Sequence, residues 1–247
     1  MTNLLSIMFI LSVGPLVGSL IGVVKKPDQR YSLLMLSFSA GVMLMVSFYE
    51  LIPESLQFVN VPTMLFGVLL GGLMINFVSR IMRHVKTVTP WYQLKRRKFE
   101  RVVILLIVGI LFHNFPEGMA IGLSALSSWE MSLRVALAIA IHDIPEAIAT
   151  TVPYYQLTGN KLQSVLVTMS TLVPTVFGFV LSYYFFHDLP LDVVGFFIAI
   201  TAGIMIFISA FELIPNSVFA SRNRLAPSVS MVLGVISVVL VSLLNAY

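Results

Sequence analysis

Eight apolar runs of roughly twenty residues tile the chain, and the short stretches between them hold most of its charged, proline and polar positions. They fall at about 4–24, 31–51, 61–81, 102–123, 133–152, 162–186, 193–214 and 229–244. A helix of about 20 mostly apolar residues crosses the roughly 30 Å of bilayer hydrocarbon, whereas a lipid-facing barrel would alternate over ten-residue segments. The pattern predicts an all-α integral membrane protein with eight transmembrane helices, residues 1–247 forming a single membrane domain. No basic cluster precedes the first run and no small-residue cleavage site follows it, so that run is expected to stay as a span.

Composition agrees with lipid as the solvent: 58% of the 247 residues are apolar and 11% charged, and the mean hydropathy is +0.96. Soluble domains carry about a quarter charged residues. The absence of cysteine excludes a disulfide scaffold and a thiolate metal site. The net charge of +4 reports topology, because membrane proteins collect Lys and Arg in cytoplasmic loops. Lys25, Lys26 and Arg30 follow the first run, eight basic residues from Arg80 to Arg101 follow the third, Lys161 follows the fifth, and Arg222 and Arg224 follow the seventh. Of the fifteen basic residues only Arg134 lies on the opposite side. Both termini are therefore expected to be extracytoplasmic, with 82–101 a cytoplasmic loop; the partner of the apolar surface is the lipid bilayer and no nucleic acid is expected.

The chain also repeats itself. AGVMLMVSFYELIPES, from Ala40 to Ser55, matches AGIMIFISAFELIPNS, from Ala202 to Ser217, at nine of sixteen positions with a constant offset of 162. The second and seventh runs point in opposite directions. HNFPE from His113 in the fourth run likewise matches HDIPE from His142 in the fifth. The arrangement predicted is 3+2+3, with three spans, a central pair, and three spans inverted relative to the first. Inverted repeats with broken helices are a transporter architecture, with the binding site near the midplane.

Five carboxylates fall inside runs: Glu50, Glu117, Asp143, Glu146 and Glu212. Each would cost about 2.5–3.5 kcal/mol at a span centre without compensation. His113 and Glu117, and again His142 and Glu146, are four residues apart and share a helix face. Each pair brackets a proline, Pro116 or Pro145, that leaves the carbonyl four residues earlier without its helical donor. With Asn114 and Asp143 they form a nitrogen and oxygen donor set suited to a divalent first-row metal. Asn114 and Asp143 are read either as ligands or as hydrogen-bonding partners of neighbouring helices. Glu50 and Glu212, each three residues before a proline, are read either as pathway residues at opposite mouths or as interfacial carboxylates reaching headgroup water. Met43, Met45 and Met205 read as core filler. Tyr154, Tyr155, Tyr183, Tyr184, Trp91 and Trp129 read as interfacial anchors.

With HNFPEG (His113 to Gly118) and HDIPEA (His142 to Ala147) in consecutive runs, the sequence resembles the ZIP (Zrt/Irt-like) family of divalent metal transporters in its short bacterial form. The resemblance implies movement of zinc, and often iron, manganese, cobalt or cadmium, toward the cytoplasm through a site between the fourth and fifth spans. Carried over by position, His113, Asn114, Glu117, His142, Asp143 and Glu146 would form that site, with the glutamates bridging two ions. It also implies a multi-pass protein of a bacterial inner membrane, with the metal as bound substrate and no catalytic cofactor. Three positions depart from the pattern: Ala147 replaces a frequent glycine, Pro174 stands where many relatives carry a carboxylate, and the loop after the third span has only His84. The Pro174 departure implies a weaker or missing second metal position.

A membrane-embedded metalloenzyme is the competing class, using the same ligands to activate water. Against it, the chain lacks an HExxH pattern and has only four histidines, too few for a multi-histidine di-iron oxygenase; the reading is therefore a transporter and not an enzyme. Gly67 and Gly71 have GxxxG spacing, which serves either a homodimer interface or packing inside one subunit.

Overall fold

The computed structural model describes residues 2–84, 91–185 and 190–245, and among them only helices and turns occur. In chain order the helices are α1 (Thr2–Gly22), α2 (Gln29–Val46), α3 (Ile52–Phe58), α4 (Val61–His84), α5 (Trp91–Ser127), α6 (Trp129–Thr158), α7 (Lys161–Ser170), α8 (Leu172–Phe185), α9 (Leu191–Phe207), α10 (Ile214–Ser217) and α11 (Leu225–Asn245). Two π turns, Ser47–Leu51 and Ile208–Leu213, join α2 to α3 and α9 to α10. Seven stretches among the described residues are long and apolar enough to cross a membrane, and Leu225–Leu240 in α11 is a shorter apolar helix. The departure from eight is confined to that last run.

Local chemistry starts and breaks these helices. The Asp28 carboxylate caps α2 by accepting from the Tyr31 N–H at 2.7 Å. Ser128 caps α6 in the same way, and Gly159, at φ 70°, ends it in the left-handed conformation that a Cβ disfavours. Pro53 and Pro215 lack the N–H that would continue the α ladder. The chain resolves both cases with an i→i−5 bond, from Ile52 N–H to the Ser47 carbonyl and from Ile214 N–H to the Ser209 carbonyl. Pro174 cannot donate to the Ser170 carbonyl, and α7 stops at Ser170. The sixth run is thus a broken helix.

Other boundaries also shift. Much of 82–101, expected as a loop, is helical, because α4 continues to His84 and α5 begins at Trp91. The stretch from Trp91 to Arg101 contains no Gly or Pro, so the span extends beyond its apolar part. Tyr155, expected at the interface, is buried, and Tyr183 is partly buried and stacks on Phe179 at 5.6 Å. The Lys86 position and the side chains of Arg83, His84, Trp91 and Lys95 to Lys98 lie outside the described residues.

The helices pack in four principal pairs: α1 with α6, α5 with α8, α2 with α11, and α4 with α9. Glycine makes two of these crossings close. A Cβ at Gly41 would collide with the Met231 carbonyl and one at Gly234 with the Phe38 carbonyl; at the other crossing Gly203 meets Val68 and Gly71 meets Ile200. The contacts correspond residue by residue, with α2 displaced by 162 positions onto α9 and α4 by 163 onto α11. Gly67 and Gly71 are therefore used against α9 inside the subunit. Leu65, Phe66, Leu69, Leu73 and Phe77 along α4 are all more than half exposed, the outer surface that lipid solvates. Met43, Leu105, Leu106, Ile110, Met205 and Ile208 fill the main core.

Because the close crossings leave no room for a methyl group, Gly71→Ala is expected to destabilise the protein by about 1–3 kcal/mol. Gly72→Ala, whose Cβ would meet nothing nearer than 3.8 Å, should be neutral. Unfolding temperatures of the two variants in detergent separate these outcomes, and equal values would count against the crossing.

Candidate metal centre

The site grows from α5 and α6, which cross the core side by side. Each carries its histidine and glutamate positions one turn apart, and on α5 the two side chains leave the same helix face. His113 Nε2 lies 3.0 Å from Glu117 Oε1 on its own helix and 3.9 Å from Glu146 Oε2 on α6. His113, Asn114, Glu117, Asp143 and Glu146 are all buried. His142 occupies the matching position on α6, but its side chain lies outside the described residues. The structure therefore brings five of the six expected residues into one region. Among the described residues, no three His, Asp or Glu side chains are already gathered in a metal-holding geometry.

The two ends of the Asn114 amide are placed differently. Its Nδ2 donates to the Thr171 carbonyl at 2.7 Å, at the break that Pro174 makes between α7 and α8. Only the amide nitrogen can face a carbonyl oxygen, so Oδ1 points elsewhere, and it is buried with no hydrogen-bond partner. Asn114, Asp143, Glu146, Thr150 and Thr171 line one narrow pocket beside Pro15 and Ile110. The Thr171 carbonyl, three residues before Pro174, thus orients Asn114.

On the other side of His113 lies a cavity of about 520 Å³, partly open to the outside. His113 and Glu117 form its floor, and Glu50, Glu54, Gln57, Tyr49 and Ser242 line it farther out. Glu54 lies beyond the second apolar run, which ends at 51, but helix continues through Phe58. The signal was present, since Glu54 follows Glu50 by four residues. The Ser242 hydroxyl donates to Glu50 Oε1 at 2.9 Å.

Glu212 does not reach headgroup water. It is 3% exposed, accepting from the Arg101 guanidinium at 2.8 Å and from the Ser79 hydroxyl at 2.7 Å. Its interfacial reading is thereby corrected: the span continues past it through the π turn and α10, so the carboxylate stays inside protein. Glu50 and Glu212 occupy corresponding positions, yet one faces an open cavity and the other is closed in an ion pair.

The lipid-solvated outer surface and the buried nitrogen and oxygen donors define a polytopic helical membrane protein with ionisable groups in its interior. A family model described as "ZIP Zinc transporter" matches residues 89–242. The chain is 32% identical over 210 residues to the "Zinc transporter ZupT" of Escherichia coli O7:K1, covering 81% of this chain and 80% of that protein. The same identity and coverage hold over 206 residues for the "Zinc transporter ZupT" of Shigella flexneri serotype 5b. The chain belongs to the ZIP family.

Replacing the Asn114 donor by an acceptor tests the amide assignment. Asn114→Asp sets an oxygen against the Thr171 carbonyl and is expected to cost about 1–3 kcal/mol, read as a lower unfolding temperature in metal-free detergent. An unchanged temperature would show that the Thr171 contact does not hold the side chain.

Proposed function

We propose that the protein imports divalent transition-metal cations, zinc foremost, across a bacterial inner membrane as a single transporter domain of eight spans. The eighth span is α11, and the arrangement is 3+2+3 with both termini extracytoplasmic. Support for the repeat comes from the matched π turns, the matched glycine crossings, and the pairing of α1 with α6 opposite that of α8 with α5. Support for orientation comes from the basic residues, which gather at the ends of alternate loops. In this orientation the 520 Å³ cavity opens outward.

The observation that carries the reading is the cavity itself, which leads from exposed Tyr49 to buried His113 and Glu117. A cation entering it meets Glu50 and Glu54 first and then the floor. His113, Asn114, Glu117, His142, Asp143 and Glu146 take it as substrate, exchanging its water for nitrogen and oxygen ligands. Iron(II), manganese, cobalt and cadmium suit the same donors. No catalytic cofactor enters this scheme. Below the site, Leu105, Leu106, Ile110 and Ile208 are packed without accessible surface beyond about 1%, so the inner side is shut in the conformation described.

A metalloenzyme would use the same ligands to activate water, but the match to a transporter family and the symmetric scaffold favour transport. Proteoliposomes holding purified protein should take up zinc, with uptake by Glu117→Ala and His113→Ala reduced to the level of empty vesicles. Metal binding without uptake by the unmodified protein would overturn transport, and full uptake by Glu117→Ala would overturn the site.

A further inference from the structure

The two halves of the scaffold carry the same hydroxyl and carboxylate pair at opposite ends of the path. Ser242 on α11 donates to Glu50, and Ser79 on α4 donates to Glu212. These residues correspond under the displacements that relate the glycine crossings, 162 for the glutamates and 163 for the serines. Glu50 lines the outer cavity; Glu212 is closed off by the Arg101 guanidinium at 2.8 Å. Displacing α5 by the 29 residues that bring His113 onto His142 brings Arg101 onto Glu130. Glu130 is 83% exposed and lies 3.7 Å from Arg134 of its own helix. The arginine is thus the feature that breaks the symmetry of the two ends.

We propose that Ser79 and Glu212 form an inner cation seat and that Arg101 is a tethered cation occupying it, which must withdraw before metal can leave toward the cytoplasm. The inference rests on the transport reading above. A guanidinium satisfies a buried carboxylate through charge and a directed hydrogen bond, so the seat is filled and the inner end held closed with no metal there. Arg101 starts the buried part of α5, about 18 Å along the helix from His113 at about 1.5 Å per residue. It is partly exposed, which gives the side chain a route to water. Ser209, one turn deeper than Glu212, is fully buried with a hydroxyl that has no hydrogen-bond partner. It places a polar group between the seat and the apolar plug.

Arg101 and Glu212 also belong to different sets of helices. The metal donors lie on α5 and α6, which pair with α8 and α1; the Ser and Glu pairs lie on α4, α11 and the π turns after α2 and α9. Any shift of one set against the other that opens the inner side must separate this ion pair.

The chain has no cysteine, so Ser209→Cys provides one probe position in the full-length protein. In proteoliposomes, a membrane-impermeant maleimide added at the face where α5 begins should react slowly with this cysteine. Labelling of a buried group tracks the open population, so adding Arg101→Gln should raise the rate by about tenfold or more. The charge exchange Arg101→Glu with Glu212→Arg should restore slow labelling, as should Arg101→Lys in part. Equal slow rates with and without Arg101, in protein that still takes up zinc, would overturn the latch while leaving the transport site standing. Fast labelling in the charge exchange would also overturn it, because a merely structural arginine is not rescued by reversal. Acceleration seen only from the opposite face would uphold the latch and overturn the assigned sidedness.

Discussion

The cost of holding ionised oxygen inside an apolar bundle governs this structure. Four carboxylates, Glu117, Asp143, Glu146 and Glu212, are buried among helices whose outer faces are lipid-solvated, and each would cost about 2.5–3.5 kcal/mol if left uncompensated at the span centre. Water is scarce where backbones approach as closely as Gly71 and Ile200 do. Compensation therefore comes from inside the protein, from a bound cation or, for Glu117, from the cavity it lines. At Glu212 it is internal, through Arg101 and Ser79. At the centre, His113 stands 3.0 Å from Glu117 and 3.9 Å from Glu146.

Proline serves the same constraint from the backbone side. A proline in a membrane helix leaves a carbonyl to be satisfied, tolerable only where protein or a wet cavity receives it. Pro53 and Pro215 accompany π turns, and these set Glu50 against a cavity and Glu212 against Arg101 rather than toward lipid. Pro174 breaks the sixth span, and the Thr171 carbonyl near the break fixes Asn114. The kinks that weaken individual helices thus aim the polar groups that the bundle must accommodate.

Seven of the spans were legible because twenty-residue apolar runs have few other solutions, and the His113 and Glu117 pair was legible because four-residue spacing sets a helix face. What escaped the sequence depends on contacts between distant residues or on where a helix ends. Glu54 was lost to a boundary drawn at the first proline, although proline in the first turn of a helix is no terminator. Ser242 and Ser79 look like ordinary polar residues of a span until the fold sets them against Glu50 and Glu212. Arg101 reads as one more loop charge in a basic cluster; only the extension of α5 shows that it turns inward. Tyr155 shows the opposite failure, a residue assigned by its place near a span end that tertiary packing buries.

The two sets of helices meet through a core made mostly of Leu, Ile, Val and Met, which includes Met43, Leu106, Ile110, Met205 and Ile208. Hydrophobic contact is non-directional, and methionine repacks readily, so such a surface can exchange one packed arrangement for another at low cost. An ion pair has a definite distance and direction. Arg101 and Glu212 join α5 of one set to the π turn of the other, and so select one arrangement from those the apolar surface permits. The symmetry-related end has no such arginine, and it is the end where the cavity lies. The matched glycine crossings are thus alike in packing, while an arginine ion pair accompanies Glu212 and a cavity accompanies Glu50.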